Sequence, residues 1–439
     1  MSYTARRTPV HCGPAAWAEI LGPGQAYPAL EGAHTADIAI IGAGFAGLSA
    51  ARQLRLRDPG VRVAVLEAGR IAEGAAGRNS GFMIDLPHDL SSDDYASAGD
   101  DAAQIRMNRE AIAFAGAAVE AYDIPPAFFE PSGKINGACG PGAAAHNASY
   151  AQHLARLGEP FEHLDAGQMR AVTGSALYTS GLYTPGTVML QPAGYVRGLA
   201  AGLAAEGAIF ERSPVLSVTE QSGGWTLGCK DGRLSAGRVI WAVNGHLESF
   251  GIARGRLIQL FLYASMSEPV PAAQGQPRWG VTPSDPMGTT MRQITDPQGR
   301  ARIVTRTCAT VRAGMVPTEA DLARAARMHR AKFAAHFPHL SGVRQGYVWA
   351  GHLCLSRNGS ALCGKVAPGL YTACVQNGLG TARGTLTGMA AADMALGVET
   401  ALTAHFGAEA APPRLPPQPF ASLGANVYLR AKEWQARAE

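Results

Sequence analysis

Between Ala36 and Glu67 the chain changes character four times in a fixed order. "ADIAII" is a short run rich in Ile and Ala, of the kind carried by a parallel strand buried on both faces. Three glycines follow, Gly42, Gly44 and Gly47, and then "GLSAARQLRLRDPG" takes up helical spacing and stops at Pro59-Gly60. A second apolar run, "VRVAVLE", closes on an acid, Glu67, 25 residues after Gly42. The pattern predicts strand, glycine turn, helix, strand.

Each glycine in that turn has a separate task. Gly42 permits the tight turn, Gly44 lets the backbone approach a pyrophosphate, and Gly47 allows close helix–strand packing. The helix N-terminus points at the negative charge. Glu67 is placed to accept from a ribose 2′-hydroxyl and would repel a 2′-phosphate, so NADP is disfavoured. The glycine spacing alone occurs by chance; the ordered context carries the dinucleotide reading.

Residues 1–35 read as an irregular lead-in with Trp17 and Tyr27 as anchors. From Ser91, "SSDDYASAGDDAAQIRMNREAIAFAGAAVEA" opens on cap-type Ser and Asp and turns helical. Strand-like pieces follow in "PAFFEPSGKINGA" and "ALYTSGLYTPGTVML", then a helix in "GYVRGLAAGLAAEG". A hairpin turning at "CKDGRL" leads to the apolar strand "RVIWAV". Residues 256–312 alternate as short strands with "TDPQGR" as a turn, and "TEADLARAARMHRAKFAAHF" is a charged helix. A second glycine-rich turn, Gly378–Gly384, precedes a small-residue helix.

The length of 439 residues suits two or three domains, and 47% hydrophobic with 16% charged residues describes an ordinary globular chain. Net charge is +4 with the arginines scattered, which leaves no nucleic-acid footprint. There is no apolar run of signal-peptide or membrane-spanning length, so a cytoplasmic location with no transmembrane segment is expected. Seven cysteines without a CxxC pair point to free thiols, and no spacing supports a metal site.

Four segments, "IIGAGFAGLSAA", "LEAGRIAEGAAGRNSGFM", "MLQPAGYVRGLAAGLAAEGAIF" and "GLYTACVQNGLGTARGTLTG", resemble the flavin-dependent amine and amino-acid oxidases of the glycine oxidase and sarcosine oxidase type. Together with "SLGANVYLRAKEW" they are similar in particular to the gamma-glutamylputrescine oxidase branch. The resemblance implies FAD as the dinucleotide. It also implies an α/β fold in which a Rossmann-like FAD-binding domain (30–90, 190–250 and 340–400) is interleaved with a substrate domain on a mixed or antiparallel sheet (91–189 and 251–339), followed by a tail at 401–439. Ala75, Ala76, Arg78, Asn79, Ser80 and Gly81 become expected cofactor contacts, with Ser80 standing where most relatives have Gly. Val215 falls where the family makes a backbone contact to adenine.

For chemistry, the resemblance implies a primary or secondary amine, including an N-substituted amine or amino acid with a distal anionic group, that delivers a hydride to flavin N5 and becomes an imine for hydrolysis, with oxygen or a quinone as the final acceptor. Charge then develops at the flavin N1–C2=O locus, and N–H groups of Gly378, Gly380 and Thr381 at a helix start are suited to stabilise it. In "WAGHLCLSRNGSA" this chain has Leu353, Asn358 and Ala361 where the glycine oxidase branch has Arg, Asp and Pro, which weakens the case for a plain α-amino acid. His352 is a candidate for proton handling, although a lone histidine is more often structural. Arg292, on a strand that faces the pocket in relatives, is a candidate for an anionic substrate group or a solvent-facing residue. Cys354 lies near the position where sarcosine oxidases attach flavin, but buried cysteine is usually inert. A flavin monooxygenase and a non-catalytic flavin-holding subunit are the alternatives.

Overall fold

A computed structural model describes residues 1–87, 99–272, 274–285 and 287–438. Five parallel strands run side by side in the order Leu370–Cys374, Gly232–Trp241, Gly32–Ile41, Val63–Leu66 and Ala208–Phe210. The long strand Gly232–Trp241 serves two neighbours on one edge. Its first half pairs antiparallel with Gly224–Gly228, and its last three residues pair with Leu370–Thr372.

Strand alternation distributes the core over both faces. Ile38, Ile40, Val63 and Val65 pack with the helices Phe45–Arg57 and Ala382–Leu396, while Ala39, Ile41, Ala64 and Leu66 pack with Val218, Trp225 and Leu227 of the antiparallel meander. Burial on two sides is why "ADIAII" reads as an unbroken apolar run.

The two helices cross at backbone distance. A Cβ on Gly388 would lie 2.2 Å from the Ala46 carbonyl oxygen, and one on Gly47 only 1.8 Å from that of Gly42. The same pair is locked by the buried carboxylate of Asp393, which accepts from Arg57 Nε at 2.9 Å and Gln53 Nε2 at 2.9 Å.

The second sheet is mixed, in the order Gln345–Ser356, Leu257–Ser267, Ala301–Val311, Thr290–Thr295, Trp279–Pro283, Lys134–Ala138, Ser180–Thr184 and Glu162–Asp165. Only the pairing of Trp279–Pro283 with Lys134–Ala138 is parallel. Gln345–Ser356 lies inside the 340–400 segment assigned to the nucleotide unit, yet it pairs along its length with Leu257–Ser267 in this sheet. A small third sheet joins Phe82–Met83, Val188–Leu190 and Phe129–Pro131. The helix Glu319–His336 starts at the reciprocal Thr318–Asp321 cap and covers Tyr263, Cys308 and Ala350.

Several local expectations need correction. Residues 1–35 are not wholly irregular: Ser2–Thr4 add an edge strand against Ser217–Thr219, and Ala16–Glu19 form one helical turn. Trp17 and Tyr27 are buried there as anchors. The helix Pro141–Leu157 falls in a stretch rich in Gly, Ala and Asn that carries few large apolar residues, although Pro141 is in the first turn, where its missing N–H costs nothing. Helix Asp101–Ala121 is capped by Asp100, and the cap expected at Ser91 lies outside the described residues. The tail carries helices Ala401–Ala408 and Phe420–Gln435.

The helix crossing gives a direct test. Gly388→Ala must push helix Ala382–Leu396 off Ala46 and is expected to destabilise by about 1–3 kcal/mol. Gly424→Ala, in helix Phe420–Gln435 with open space around it, is expected to stabilise by about 0.5–1 kcal/mol. Denaturant midpoints of the two variants measure both.

Candidate active site

The first glycine turn has the geometry expected of a phosphate cradle. Gly42 has φ +102°, and a Cβ there would meet the Ala242 carbonyl at 2.7 Å. Gly44 is extended at the helix N-cap and has room beside it, since an added Cβ would only touch Ala76 at 3.5 Å. The first N–H groups of helix Phe45–Arg57 have no intrahelical partner, as at any helix start. Glu67 is half-buried; its Oε2 accepts from Ala43 N at 2.9 Å and its Oε1 from Gly69 N at 3.1 Å. With the Ala68 N–H also drawn to the carboxylate, one lone-pair site remains for a hydroxyl donor. Burial raises the Glu67 carboxyl above the usual range, against the pull of those backbone donors.

Beyond the second strand, the loop 78–82 is held by its carbonyls. Trp349 Nε1 donates to the Arg78 oxygen at 3.0 Å and Trp17 Nε1 to that of Asn79 at 2.8 Å. Arg292 Nη1 donates to Gly81 at 3.2 Å and Ser80 at 3.4 Å, and Thr381 Oγ1 to Phe82 at 2.8 Å. Arg78 reaches the other way, its Nη1 donating to the carbonyls of Gly13 at 2.9 Å and Ala350 at 3.1 Å. Asn79 closes the turn by accepting from Gly81 N at 2.8 Å. Gly81, at φ +79°, has no room for a Cβ, which would lie 2.4 Å from Arg292 Nη1.

The second glycine turn is strapped by two asparagines. Asn244 Oδ1 accepts from Val375 N at 3.0 Å and Gln376 N at 3.3 Å, and Asn377 Nδ2 donates to the carbonyls of Gly359 and Ser360. Val375 and Asn377 are both left-handed, at φ +65° and +50°. Among the described residues nothing accepts from the N–H groups of Gly378, Gly380 or Thr381. They are free donors at the start of helix Ala382–Leu396.

A cavity of about 310 Å³, a size typical of small-molecule sites, brings these pieces together. It is lined by Gly42, Gly44, Glu67, Ala75, Ala76, Arg78, Asn79, Ser80, Val215, His352, Gly378, Gly380 and Thr381. Gly47 and Gly81 lie behind this wall as packing and turn positions. Val215 is buried, and no described residue bonds its main-chain N–H or C=O. Arg292 is not on the wall: it is buried between Trp17 and Phe82 and is spent on backbone carbonyls, Leu190 at 2.6 Å included. Burial lowers its guanidinium to about 10.

His352 shares a hydrogen bond of 3.0 Å between Nε2 and Gln259 Oε1, and Gln259 Nε2 continues to Glu248. Gln259 Oε1 can only accept, so Nε2 carries the proton and Nδ1 is left to accept. Burial, reinforced by His246 and His11, lowers His352 to about 3, so it is neutral in ordinary buffers. Cys354 donates to Asn244 Oδ1 at 3.2 Å and is buried away from the wall; burial raises its thiol, so it is inert. Leu353 lines the cavity.

The sequence reading missed three contributions. Arg7–His11 of the lead-in line the cavity, Asn244 holds the second turn, and Arg306 faces the cavity from strand Ala301–Val311. Only Asn244, in "WAVNG" at the end of an apolar strand, gave a local signal, because asparagine tolerates its φ of +46°.

The family described as FAD dependent oxidoreductase matches residues 37–394. A probable oxidoreductase of Haemophilus influenzae, OrdL, is 26% identical over 403 residues, covering 87% of this chain and 88% of that one. The gamma-glutamylputrescine oxidoreductase of Escherichia coli is 43% identical over 58 residues, 13% of each chain. The crystal structure of glycine oxidase from Geobacillus kaustophilus superposes with a TM-score of 0.69 at 20% identity, covering 85% of this chain and 98% of that one, and bears out the fold. No helix among the described residues is long and apolar enough to cross a membrane.

Four histidines, His329 and His336 buried and His246 and His352 half-buried, set an acid limit. His246 and His329 are lowered to about 4, and His336 and His352 to about 3, each mainly by burial. Unfolding exposes groups that titrate near 6.5, so the unfolded state binds more protons below that pH. Stability is expected to hold above about pH 6.5 and to fall progressively toward pH 3–4. Urea midpoints across that range test this, and a midpoint constant down to pH 4 contradicts it.

Proposed function

This chain belongs to the FAD dependent oxidoreductase family, and on that premise we propose that it oxidises a primary or secondary amine, or an amino acid, at the carbon bearing nitrogen. FAD supplies the hydride acceptor at flavin N5. Gly42 and Gly44 would hold the diphosphate, with Gly47 packing the helix close behind them, Glu67 would hold the ribose and the Val215 backbone the adenine. The three unpaired N–H groups of Gly378, Gly380 and Thr381 would stabilise the negative charge that a bound flavin gains as it accepts a hydride. Loss of a hydride from that carbon and of a proton from the nitrogen would leave a C=N bond, an imine, which water hydrolyses to an aldehyde or oxo acid and ammonia or a freed amine.

A single observation carries this proposal: the free donors at 378–381 and the fully bonded loop 78–82 line one cavity with His352. No strong base is required of the protein when the amine enters unprotonated. His352, neutral and with Nδ1 accepting, suits holding an amine N–H and not protonating it. Arg292 is a positioning residue that fixes the carbonyls of residues 80, 81 and 190.

Anaerobic mixing of the purified holoprotein with a panel of amines is expected to bleach the flavin absorbance with at least one of them, and oxygen or a quinone is expected to restore it. Bleaching by NADPH alone would support a monooxygenase instead. No bleaching by any amine would leave a flavin-holding subunit. With a reducing amine in hand, His352→Ala is expected to slow reduction about 10- to 100-fold. Its loss should leave no change in any pH inflection near 6.5, because the native imidazole does not titrate there.

A further inference from the structure

We infer that Arg306 anchors an anionic group of the substrate, a carboxylate or an anion of similar size, from strand Ala301–Val311. The inference rests on the amine-oxidation reading and adds a substrate class to it: amines that also carry an anion. It assigns that anion to a position far from residue 353, where this chain has an uncharged leucine.

The first observation is an arginine with no partner. Arg306 lines the cavity together with Leu262, Ala264, Gly351, His352 and Leu353. Among the described residues no carboxylate and no carbonyl accepts from its guanidinium. The other enclosed arginines nearby are all engaged. Arg78 and Arg292 are bonded to main-chain carbonyls, and Arg302, on the same strand, holds Asp296 at 2.8 Å and the Ser267 carbonyl at 3.0 Å. A guanidinium is a planar fork of five donors that stays charged, so a half-buried one on a cavity wall without an acceptor is suited to take an anion. Burial does lower Arg306 from its ordinary value, with no carboxylate nearby to oppose it.

The second observation is how the backbone puts it there. Along the pair of strands Leu257–Ser267 and Ala301–Val311, Leu262 faces Ala309 but Tyr263 faces Thr307, so one extra residue is accommodated at Cys308. Cys308 has φ +69°, in the left-handed region that costs a non-glycine residue strain. A bulge shifts every later residue by one and so exchanges the faces of the strand. With regular pairing, Ala264 on the cavity wall would face Thr307. With the bulge it faces Arg306, and the cation joins the wall. The strained residue thus buys a charge in a cavity that Leu353 leaves apolar.

The third observation is distance along the sheet. Leu353 pairs with Leu260 on one side of Leu257–Ser267, whereas Arg306 pairs with Ala264 on its other side, four residues further along and two strands from Leu353. An anion at Arg306 is therefore displaced from the 353 position, which suits an amine whose charged group is separated from the oxidised carbon by a spacer.

The test uses the FAD-loaded full chain and two simple probes, propionate and its neutral analogue propionamide. Binding is read from perturbation of the flavin absorbance under conditions where neither probe is oxidised. Propionate is expected to bind wild type and to lose about 10- to 100-fold affinity in Arg306→Met, with Arg306→Lys between the two. Propionamide is expected to bind weakly and equally to all three. Equal propionate affinity in wild type and Arg306→Met at full FAD occupancy overturns the inference. So does loss of FAD from Arg306→Met with unchanged propionate affinity in the remaining holoprotein, which would assign Arg306 to the cofactor. Should Arg306→Met fail to fold, Arg306→Lys with the same two probes decides. Arg306-dependent propionate binding in a protein that no amine bleaches would uphold the anion site while removing the oxidation reading.

Discussion

Five consecutive carbonyls, from Arg78 to Phe82, are each bonded by a side chain from elsewhere in the chain, and the rest of the site is arranged around that constraint. A loop cannot bury its backbone without partners, since each unpaired carbonyl costs about as much as a lost hydrogen bond. Here the donors are two indoles, one guanidinium and one hydroxyl, drawn from residues 17, 292, 349 and 381. Bringing them together joins the lead-in, the second sheet and the start of helix Ala382–Leu396. The loop can then face a cavity without collapsing into it.

The same economy explains the arginines. Arg78 and Arg292 are cations by charge but braces by use, their protons committed to oxygens of the main chain. Arg306 has no such commitment among the described residues. Whether an arginine is structural or available is decided by what accepts from it, which composition and position do not reveal. His352 follows a similar rule: enclosed by Phe261, His246 and Gln259, it stays neutral, and its contribution is a fixed lone pair and not a mobile proton.

Much of the nucleotide-binding unit was legible in the chain because its signals are local. Gly42, Gly44, Gly47 and Glu67 lie within one strand–helix–strand unit, and the φ of Gly42 and the contact at Gly47 follow from the turn they make. The hairpin at Lys230-Asp231 and the Thr318 cap are local too. What stayed hidden depends on long-range pairing. Arg292 reads as a pocket residue until Trp17, Phe82 and Leu190 are seen around it. Arg306 reads as an ordinary strand arginine, since the bulge at Cys308 that turns it to the cavity carries no glycine or proline to announce it. Gly388 reads as a helix-weakening residue, although the helix could not approach Ala46 without it.

The central claim is that the bonded loop 78–82 and the free N–H groups at 378–381 bracket one flavin ring. A crystal structure of the FAD-loaded protein measures this directly. The ring edge bearing N1 and C2=O is expected within about 2.7–3.2 Å of main-chain nitrogens of Gly378, Gly380 or Thr381, with the loop against the ring and its five carbonyl bonds intact. A ring seated elsewhere, with those nitrogens bonded to solvent, would contradict it.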